Sequence, residues 1–337
     1  MKIAVIGAGS WGTAISNLLA TNGHNVSLWA RRPEVVHSIN EDHRNPRYLS
    51  EVELHRDVVA TFSYADALQG AVAAVIVTPS KLVRGAARAI SDIIDDDFPV
   101  IICSKGIESG SGLVPVEVFE SEVGNKDRLA ALSGPNHAEE VIRGIPSGTV
   151  IASSSQKTAD FFQDLFANPN FRTYTSNDVL GVELCAAFKN VIAISVGISY
   201  GLGYGDNTAA MLMTRGMAEM GRLVAKVGGD TLTCMGLAGA GDLIVTCTSE
   251  HSRNRRLGIQ VAKGGTLQEF TDQTHMVAEG ALASQTIADL SHRYDVELPI
   301  TEVVRSILWD GLDVGEAERE LIERPLNIEF RDMSPEN

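Results

Sequence analysis

The chain has 337 residues, enough for two domains of ordinary size. Hydrophobic residues make up 44% and charged residues 21%, a globular composition that excludes a disordered or fibrous chain. The formal net charge of −15 opposes binding to nucleic acid or to an anionic membrane surface, so an anionic ligand needs a local basic cluster.

The cysteines and the apolar runs indicate a cytoplasmic protein. We see no apolar run that approaches the roughly 18 residues needed to span a bilayer, so we expect no membrane insertion. The segment 1–7 is too short and glycine-interrupted for a signal peptide. The four cysteines form no CxxC pair, so we expect no metal site and buried free thiols in a reducing compartment: Cys103, Cys185, Cys234 and Cys247.

The first half of the chain alternates short apolar strands with helical segments. Continuous β-branched runs are typical of strands buried on both faces of a sheet. The pattern predicts strands at 3–6, 25–29, 73–77, 100–103, 129–132, 149–152 and 171–174, and helices at 11–21 and 156–166. This βαβ order indicates an α/β fold with a doubly wound, mainly parallel sheet.

Near Asp178 the hydrophobic pattern changes from strand-like runs to helical periodicity. The pattern predicts helices at 178–199, 208–227, 252–263, 280–293 and 300–310. We therefore predict an α/β domain at 1–178, an all-α C-terminal domain at 179–331 and a flexible tail at 332–337.

A glycine-rich turn follows the first strand and opens the first helix. Gly7-Ala8-Gly9-Ser10-Trp11-Gly12 matches G-x-G-x-x-G. Gly7 permits a tight turn, Gly9 lets the backbone approach a pyrophosphate, and Gly12 lets the helix pack closely on the strand. Strand, turn, helix and second strand together predict a Rossmann-type dinucleotide-binding domain, the alternative being a glycine-rich turn without a ligand.

The end of the second strand indicates which dinucleotide is preferred. About 20 residues past the glycines an NAD-preferring site carries Asp or Glu. This chain has Arg31 and Arg32 there, and guanidinium groups suit the 2′-phosphate of NADP. We predict NADP as the preferred cofactor, with NAD as the second. The alternative is a solvated pair of surface arginines.

Lys105 directly follows the predicted strand 100–103 and Ser104. Ligands of a doubly wound sheet bind outside the carboxyl ends of its strands, which aims the ammonium group of Lys105 at the crevice. The loop 133–138 follows another strand and is expected to face the nicotinamide end. A solvated loop lysine is the alternative for Lys105.

Lys189 lies within a helix that is apolar on all sides, from Leu184 to Ile194. Such a helix should be buried, and a buried lysine needs a partner or a task. Desolvation lowers the pKa of a lysine, which suits proton transfer near neutral pH. The alternative is a lysine on the polar edge of the helix that extends its head to water.

A third cluster joins the turn before Asp242 to a basic segment. Arg253, Arg255 and Arg256 fall within four positions of an acidic chain, and Ser252 is a plausible helix N-cap. Arginine in a first helical turn needs an anion to offset it, and a phosphate is the natural candidate. The alternative is a basic surface turn paired with carboxylates. Asp242 is either a partner for a catalytic lysine or a turn residue.

Taken together, these motifs give the chain a resemblance to the bacterial NAD(P)-dependent glycerol-3-phosphate dehydrogenases. The matching stretches run in the family's order over nearly the whole chain: the residues from Gly7 to Ala14, Lys105-Gly106-Ile107, Ser133-Gly134-Pro135, Leu184 to Asn190, Gly203 to Asn207, Gly236 to Asp242 and Ser252-Arg253-Asn254.

The resemblance implies roles for individual residues. Lys189 would exchange a proton with the substrate C2 oxygen, beside Asp242, and Lys105 would contact cofactor and substrate. The substrate site would include Gly134 and, at the phosphate end, Ser252, Arg253 and Asn254. The dinucleotide site would comprise Gly7, Gly9, Ser10, Trp11, Gly12, Arg31, Arg32, Lys105, Ala138, Arg253, Val277 and Glu279.

One departure from the family is Asn136-His137, where a serine or threonine and then an aromatic residue are usual. Asn136 can donate and accept hydrogen bonds, so we expect it to contact the substrate, and we assign no role to His137.

The implied activity is reversible hydride transfer between NAD(P)H and dihydroxyacetone phosphate, giving sn-glycerol 3-phosphate for glycerophospholipid synthesis. A homodimer is expected. Two alternatives remain: a related two-domain dehydrogenase acting on a β-hydroxyacid or a sugar-acid phosphate, and a non-enzymatic dinucleotide sensor, which would not need Lys189.

Overall fold

A computed structural model describes residues 1–274, 278–325 and 328–329. The backbone forms two compact units. The first comprises Met1–Lys105 and Leu113–Val179, and the second comprises Gly106–Gly112 and the chain from Leu180 onward. The exact boundary after residue 178 stays a prediction. Val277 and the tail 332–337 lie outside the described residues.

The first unit contains one eight-stranded sheet, in the order β3-β2-β1-β4-β5-β6-β7-β8. Five neighbouring pairs from β3 to β6 and the pair β7–β8 are parallel, whereas β6 and β7 are antiparallel. The strands are β1 Lys2–Ile6, β2 Asn25–Trp29, β3 Val58–Thr61, β4 Ala73–Ile76, β5 Val100–Ile102, β6 Leu129–Ser133, β7 Ser147–Ala152 and β8 Phe171–Ser176.

Helices connect the strands of this sheet. They are α1 Ser10–Thr21, α2 Pro33–Asp42, α3 Tyr64–Leu68, α4 Val83–Ser91, α5 Pro115–Val123, α6 Ala138–Val141 and α7 Gln156–Phe166, with short 3-10 helices at Ser80–Leu82 and Lys126–Arg128. The central strands β1 and β4 are almost wholly buried, as the β-branched runs predict. The prediction of a Rossmann-type α/β domain is confirmed.

The second unit is helical within the described residues. Its helices are α8 Val179–Gly201, α9 Asp206–Val227, α10 Asp242–Thr248, α11 Arg253–Ala262, α12 Leu267–Thr274, α13 Glu279–Tyr294, α14 Pro299–Arg305 and α15 Val314–Ile322. Irregular helical segments stand at Thr231–Met235, Leu237–Gly241 and Ser306–Asp310, the last two being π-helical. The helix predicted at 300–310 is thus an α-helix that ends at Arg305 and continues in the wider π form.

Helix α8 forms the centre of the second unit. By length and composition it is apolar enough to cross a membrane, with a mean hydropathy of 1.8 in its most apolar window, although the sequence contains no uninterrupted apolar run of that length. One lysine and one glutamate interrupt its apolar run. Of its most apolar window, 89% is buried inside the structure, as in the core helix of a globular domain.

Glu219 of α9 is a buried carboxyl group that fixes the start of α14. Its two oxygens accept hydrogen bonds from the backbone N–H groups of Ile300 and Thr301, at 2.6 and 3.2 Å, and from the Thr301 hydroxyl at 3.0 Å. Burial raises the pKa of Glu219 to about 7, against the lowering effect of these hydrogen bonds. A buried carboxyl group therefore caps this helix.

Candidate active site

The glycine turn, residues 7–12, joins β1 to α1 and lies against the carboxyl end of β4. Gly7 has a φ of +122°, and a Cβ on it would lie 2.6 Å from the Val77 carbonyl oxygen. A Cβ on Gly12 would lie 1.8 Å from the Gly7 carbonyl oxygen. Side chains are therefore excluded at both positions by backbone contacts, as the motif predicts.

Gly9 has a different environment. No atom of the described residues outside its immediate chain neighbours lies within 4 Å of a Cβ built on it, and it precedes α1 without any side-chain cap. A ligand can therefore approach the backbone closely at Gly9. In the described part of the chain the buried indole Nε1 of Trp11, two residues later, has no hydrogen-bond partner. An open glycine, an uncapped helix start and an unpaired donor fit the pyrophosphate of a dinucleotide.

Asn45 supports this turn, and sequence reasoning missed it. Its fully buried amide donates to the Ala8 carbonyl at 3.0 Å and to the Thr13 hydroxyl at 2.8 Å. Its oxygen accepts from the backbone N–H groups of Arg47 and Tyr48. Asn45 therefore fixes the loop after α2 to the glycine turn. A lone asparagine before a proline gives no sequence signal beyond that of a turn.

The two arginines after β2 have different surroundings. Arg32 precedes α2, and its guanidinium lies 3.7 Å from the carboxylate of Glu34, with both side chains about half exposed. Arg31 is exposed at the carboxyl end of β2, next to Ala30, whose N–H bonds to Thr61. Arg31 thus has the freer guanidinium to meet a phosphate, whereas Arg32 is drawn toward Glu34.

The loops after β5 and β6 bring Lys105, Gly134 and Asn136 together. The Lys105 ammonium nitrogen lies 3.4 Å from the Gly134 carbonyl oxygen and 3.5 Å from the Asn136 side-chain oxygen. The hydroxyl of Ser104 donates to the Thr78 carbonyl at 2.6 Å and so ties the β5 loop to the β4 loop. The structure thus places these predicted residues at one edge of the sheet, with Ala138 buried at the start of α6.

Lys189 lies in the middle of α8 and is 5% exposed. Its ammonium nitrogen lies 2.5 Å from a carboxylate oxygen of Asp242 and 2.9 Å from the hydroxyl oxygen of Thr246. Asp242 is itself 1% exposed. The alternative of a lysine extending to water is therefore wrong. Burial disfavours the charged forms, whereas the opposite charge 2.5 Å away favours them.

The backbone before Asp242 explains why this partner is in reach. The π-helical segment Leu237–Gly241 leads directly into α10, whose first residue is Asp242. A Cβ on Gly239 would lie 2.2 Å from the Cys234 carbonyl oxygen, so this segment packs backbone against backbone. Thr246, one turn after Asp242, also donates to its backbone carbonyl at 2.6 Å. Sequence reasoning proposed Asp242 as a partner but missed Thr246.

The segment 252–254 lies at the start of α11. Ser252 is the N-cap and accepts from the Arg255 N–H at 3.3 Å. The buried amide of Asn254 donates to the Asn190 oxygen at 2.9 Å and accepts from the Gly280 N–H at 3.0 Å. Asn254 thus links α11 to the residue after Lys189 and to the start of α13. Glu279, a predicted cofactor residue, is the first residue of α13.

The three arginines of this segment have different surroundings. The Arg255 guanidinium lies over the ring of Tyr200, 4.9 Å from its centroid. Arg253 and Arg256 are exposed. Arg255 is therefore held at the ring of Tyr200, whereas Arg253 and Arg256, three positions apart, lie on the same face of α11.

The neighbouring thiol of Cys247 does not add a second negative charge beside Lys189. Burial raises the pKa of Cys247 to about 12, although Lys189 acts to lower it, so this thiol stays neutral. Among the described residues, no group of three or more metal-ligating side chains is arranged to hold a metal ion.

Comparisons with known proteins agree with this chemistry. A family model described as the N-terminus of NAD-dependent glycerol-3-phosphate dehydrogenase matches residues 2–159, and the model of its C-terminus matches residues 178–319. A glycerol-3-phosphate dehydrogenase, NAD(P)+, of Moorella thermoacetica is 45% identical over 324 residues, covering 96% of each chain. Another, of Halalkalibacterium halodurans, is 44% identical over 98% of this chain and 96% of that protein.

A solved structure agrees as well. The crystal structure of glycerol-3-phosphate dehydrogenase from Coxiella burnetii has a TM-score of 0.91 and 36% identity, covering 96% of this chain and 99% of that one. The resemblance found in the sequence is confirmed: the chain belongs to the NAD-dependent glycerol-3-phosphate dehydrogenase family.

Proposed function

We propose that this protein is an NAD(P)-dependent glycerol-3-phosphate dehydrogenase that reduces dihydroxyacetone phosphate to sn-glycerol 3-phosphate, reversibly, and so supplies glycerophospholipid synthesis. Family membership supports the reaction. The observation that carries the chemistry is the buried Lys189 ammonium group, held between the carboxylate of Asp242 and the hydroxyl of Thr246.

Lys189 is the proposed proton donor to the C2 oxygen during reduction. When bound, the reduced nicotinamide supplies the hydride. As the carbonyl carbon accepts it, negative charge develops on the oxygen, and a buried ammonium group stabilises that charge more than a solvated one would. Asp242 keeps the lysine protonated and oriented before the transfer. In the reverse direction the neutral amine accepts the hydroxyl proton.

The phosphate end of the substrate is proposed to bind at the start of α11. Ser252 and Asn254 are buried there, and Arg253 is exposed beside them. The helix N-terminus carries a partial positive charge, and a guanidinium group adds a full one. Lys105, Gly134 and Asn136 are the proposed substrate contacts of the first unit.

The proposed dinucleotide site is centred on the glycine turn. Gly7, Gly9, Ser10, Trp11 and Gly12 would hold the pyrophosphate, and Arg31 the 2′-phosphate, with Arg32 as a second cation, so NADP is preferred over NAD. Ala138, Lys105, Arg253 and Glu279 complete the proposed site. The contribution assigned to Val277 rests on the family resemblance.

Cytoplasmic location and a homodimer are further parts of this proposal. Four cysteine thiols, all buried and none in a disulfide, support a reducing compartment, and burial of α8 supports the absence of membrane insertion. The homodimer rests on the family resemblance alone. Sedimentation of the full chain over a range of concentrations tests it, and a monomer throughout would reject it.

One assay tests the reaction directly. Purified protein should oxidise NADPH in the presence of dihydroxyacetone phosphate. It should use NADPH more efficiently than it uses NADH. A β-keto acid and a keto sugar-acid phosphate serve as competing substrates. Preference for either would favour the related dehydrogenases, and NADPH binding without turnover of any substrate would favour a dinucleotide sensor.

A further inference from the structure

We infer that Thr149 is a positioning residue for Lys105, because its hydroxyl group fixes the direction of the Asn136 amide that faces the lysine. The inference rests on the proposed function for the role of Lys105 in the reaction. The positioning itself rests on contacts within the first unit.

Thr149 is in contact with the loop that carries Asn136. It is fully buried on β7, which runs antiparallel to β6. Gly134, the first residue after β6, has a φ of +156°. A Cβ on Gly134 would lie 2.8 Å from the Thr149 Cα and 3.3 Å from its hydroxyl oxygen. The loop and the threonine are therefore in close contact.

The single proton of the Thr149 hydroxyl group decides how the amide is oriented. Thr149 Oγ1 lies 2.9 Å from the carbonyl oxygen of Ser133, and a carbonyl oxygen only accepts, so the hydroxyl proton is used there. Thr149 Oγ1 also lies 3.1 Å from Asn136. Toward Asn136 it must act as an acceptor, so the NH2 end of the amide faces Thr149.

The other end of the amide then faces Lys105. The Asn136 Oδ1 atom lies 3.5 Å from the Lys105 ammonium nitrogen, and the Gly134 carbonyl oxygen lies 3.4 Å from it. Two partial negative charges thus meet the ammonium group. The reversed amide would direct N–H bonds at a cation in a partly buried place, which is repulsive.

An asparagine needs such a support because its amide has two unlike ends of nearly equal shape. Without an acceptor on its NH2 side, only the contact with the lysine itself favours this orientation of the amide. The hydroxyl group of Thr149 thus determines the position of the Lys105 ammonium group through Asn136. A valine at position 149 keeps the shape of the side chain and removes this acceptor.

The experiment compares Thr149→Val and Thr149→Ser, with Thr175→Val as the matched control. Thr175 lies on the neighbouring strand β8, opposite Ile151. The first readout is competitive acetylation of Lys105, measured by mass spectrometry relative to the exposed Lys81 and Lys157, which needs no turnover. Thr149→Val should change the relative rate about threefold or more, whereas Thr149→Ser and Thr175→Val should leave it within about 1.5-fold.

The second readout is a double-mutant cycle in the reduction of dihydroxyacetone phosphate. Thr149→Val should lower kcat/KM about tenfold, Thr149→Ser should restore most of it, and in a Lys105→Met background Thr149→Val should have less than a twofold effect. An effect of Thr149→Val that persists in the Lys105→Met background would overturn the inference. So would a serine variant as impaired as the valine variant.

The two readouts separate this inference from the proposed reaction. In one outcome, the wild-type protein fails to reduce dihydroxyacetone phosphate while the acetylation rate of Lys105 changes in Thr149→Val and not in Thr149→Ser. That result overturns the proposed reaction and supports the positioning role. An active protein whose Lys105 reactivity is unchanged in the valine variant overturns the positioning. If the valine variant does not fold, Thr149→Ala removes the same acceptor without filling its space, and the same criteria apply.

Discussion

Replacing Lys189 by methionine separates the chemistry of the Lys189–Asp242 pair from its contribution to stability. Methionine keeps most of the volume and removes the proton donor, which should lower kcat by about 10²- to 10⁴-fold. It also leaves Asp242, 1% exposed, without its cation. Removing one partner of a buried ion pair typically costs about 3–5 kcal/mol of the free energy of unfolding. A protein stable by about 5–15 kcal/mol should still fold.

The double variant Lys189→Met with Asp242→Asn restores neutrality. It should recover most of the lost free energy of unfolding but none of the lost activity, because the asparagine removes the stranded charge and supplies no acid. Urea unfolding and NADPH oxidation with dihydroxyacetone phosphate measure the two quantities, with the exposed Lys157→Met as control. Near-normal turnover in Lys189→Met would refute the proton-transfer role. A double variant no more stable than the single one would refute the charge argument.

Four further variants test the cofactor site and the pH dependence. Arg31→Ala should raise KM for NADPH far more than KM for NADH; equal increases in steady-state assays would remove the case for a 2′-phosphate contact. Gly12→Ala should lower the melting temperature, because its Cβ would lie 1.8 Å from the Gly7 carbonyl oxygen. Gly9→Ala should weaken NADPH binding and leave the melting temperature unchanged. Calorimetry measures the melting temperatures, and titration with NADPH measures the binding. Glu219→Gln should flatten the pH dependence of stability. The folded-state pKa of Glu219 is about 7 against an ordinary 4.5, so the folded state retains a proton that the unfolded state releases, and wild-type stability should fall by roughly 3 kcal/mol as pH rises from 4.5 to 7. Urea unfolding at several pH values that gives parallel curves for wild type and variant would contradict this.

The sequence predicts those parts of the molecule that follow from local patterns. The glycine turn is such a pattern, since a positive φ at Gly7 and the close approach at Gly12 exclude side chains. Burial of Lys189 is another, because the helix around it is apolar on every side. In both cases one segment carries the information.

Strand direction and weak edge strands are not contained in one segment. The pattern of β7 is compatible with either direction, and its antiparallel pairing with β6 depends on the intervening chain. The edge strand β3, Val58–Thr61, was not predicted, because it is only four residues long and Val59 within it is 57% exposed. The hydrophobic pattern alone gives such a strand little signal.

Uncharged residues that act through hydrogen bonds to distant parts of the chain were also missed. Asn45, Thr149 and Thr246 are ordinary polar residues in the sequence, and their importance comes from partners such as Ala8, Asn136 and Lys189. Lys189 and Thr246 are 57 residues apart in the chain. Such pairings depend on the tertiary fold rather than on residue type.

Two buried carboxyl groups of the second unit show why the partner decides the chemistry. Asp242 faces a lysine ammonium group at 2.5 Å, an arrangement that favours the charged pair. Glu219 faces backbone N–H groups, the charge of Arg222 and one hydroxyl group, and burial prevails over these and raises its pKa. A loss of stability between pH 4.5 and 7 should therefore be assigned to Glu219 and not to the Lys189–Asp242 pair. Glu219→Gln should remove that loss while the pH profile of kcat stays where it is, and a pH profile that moves with this variant would show that the two groups are coupled.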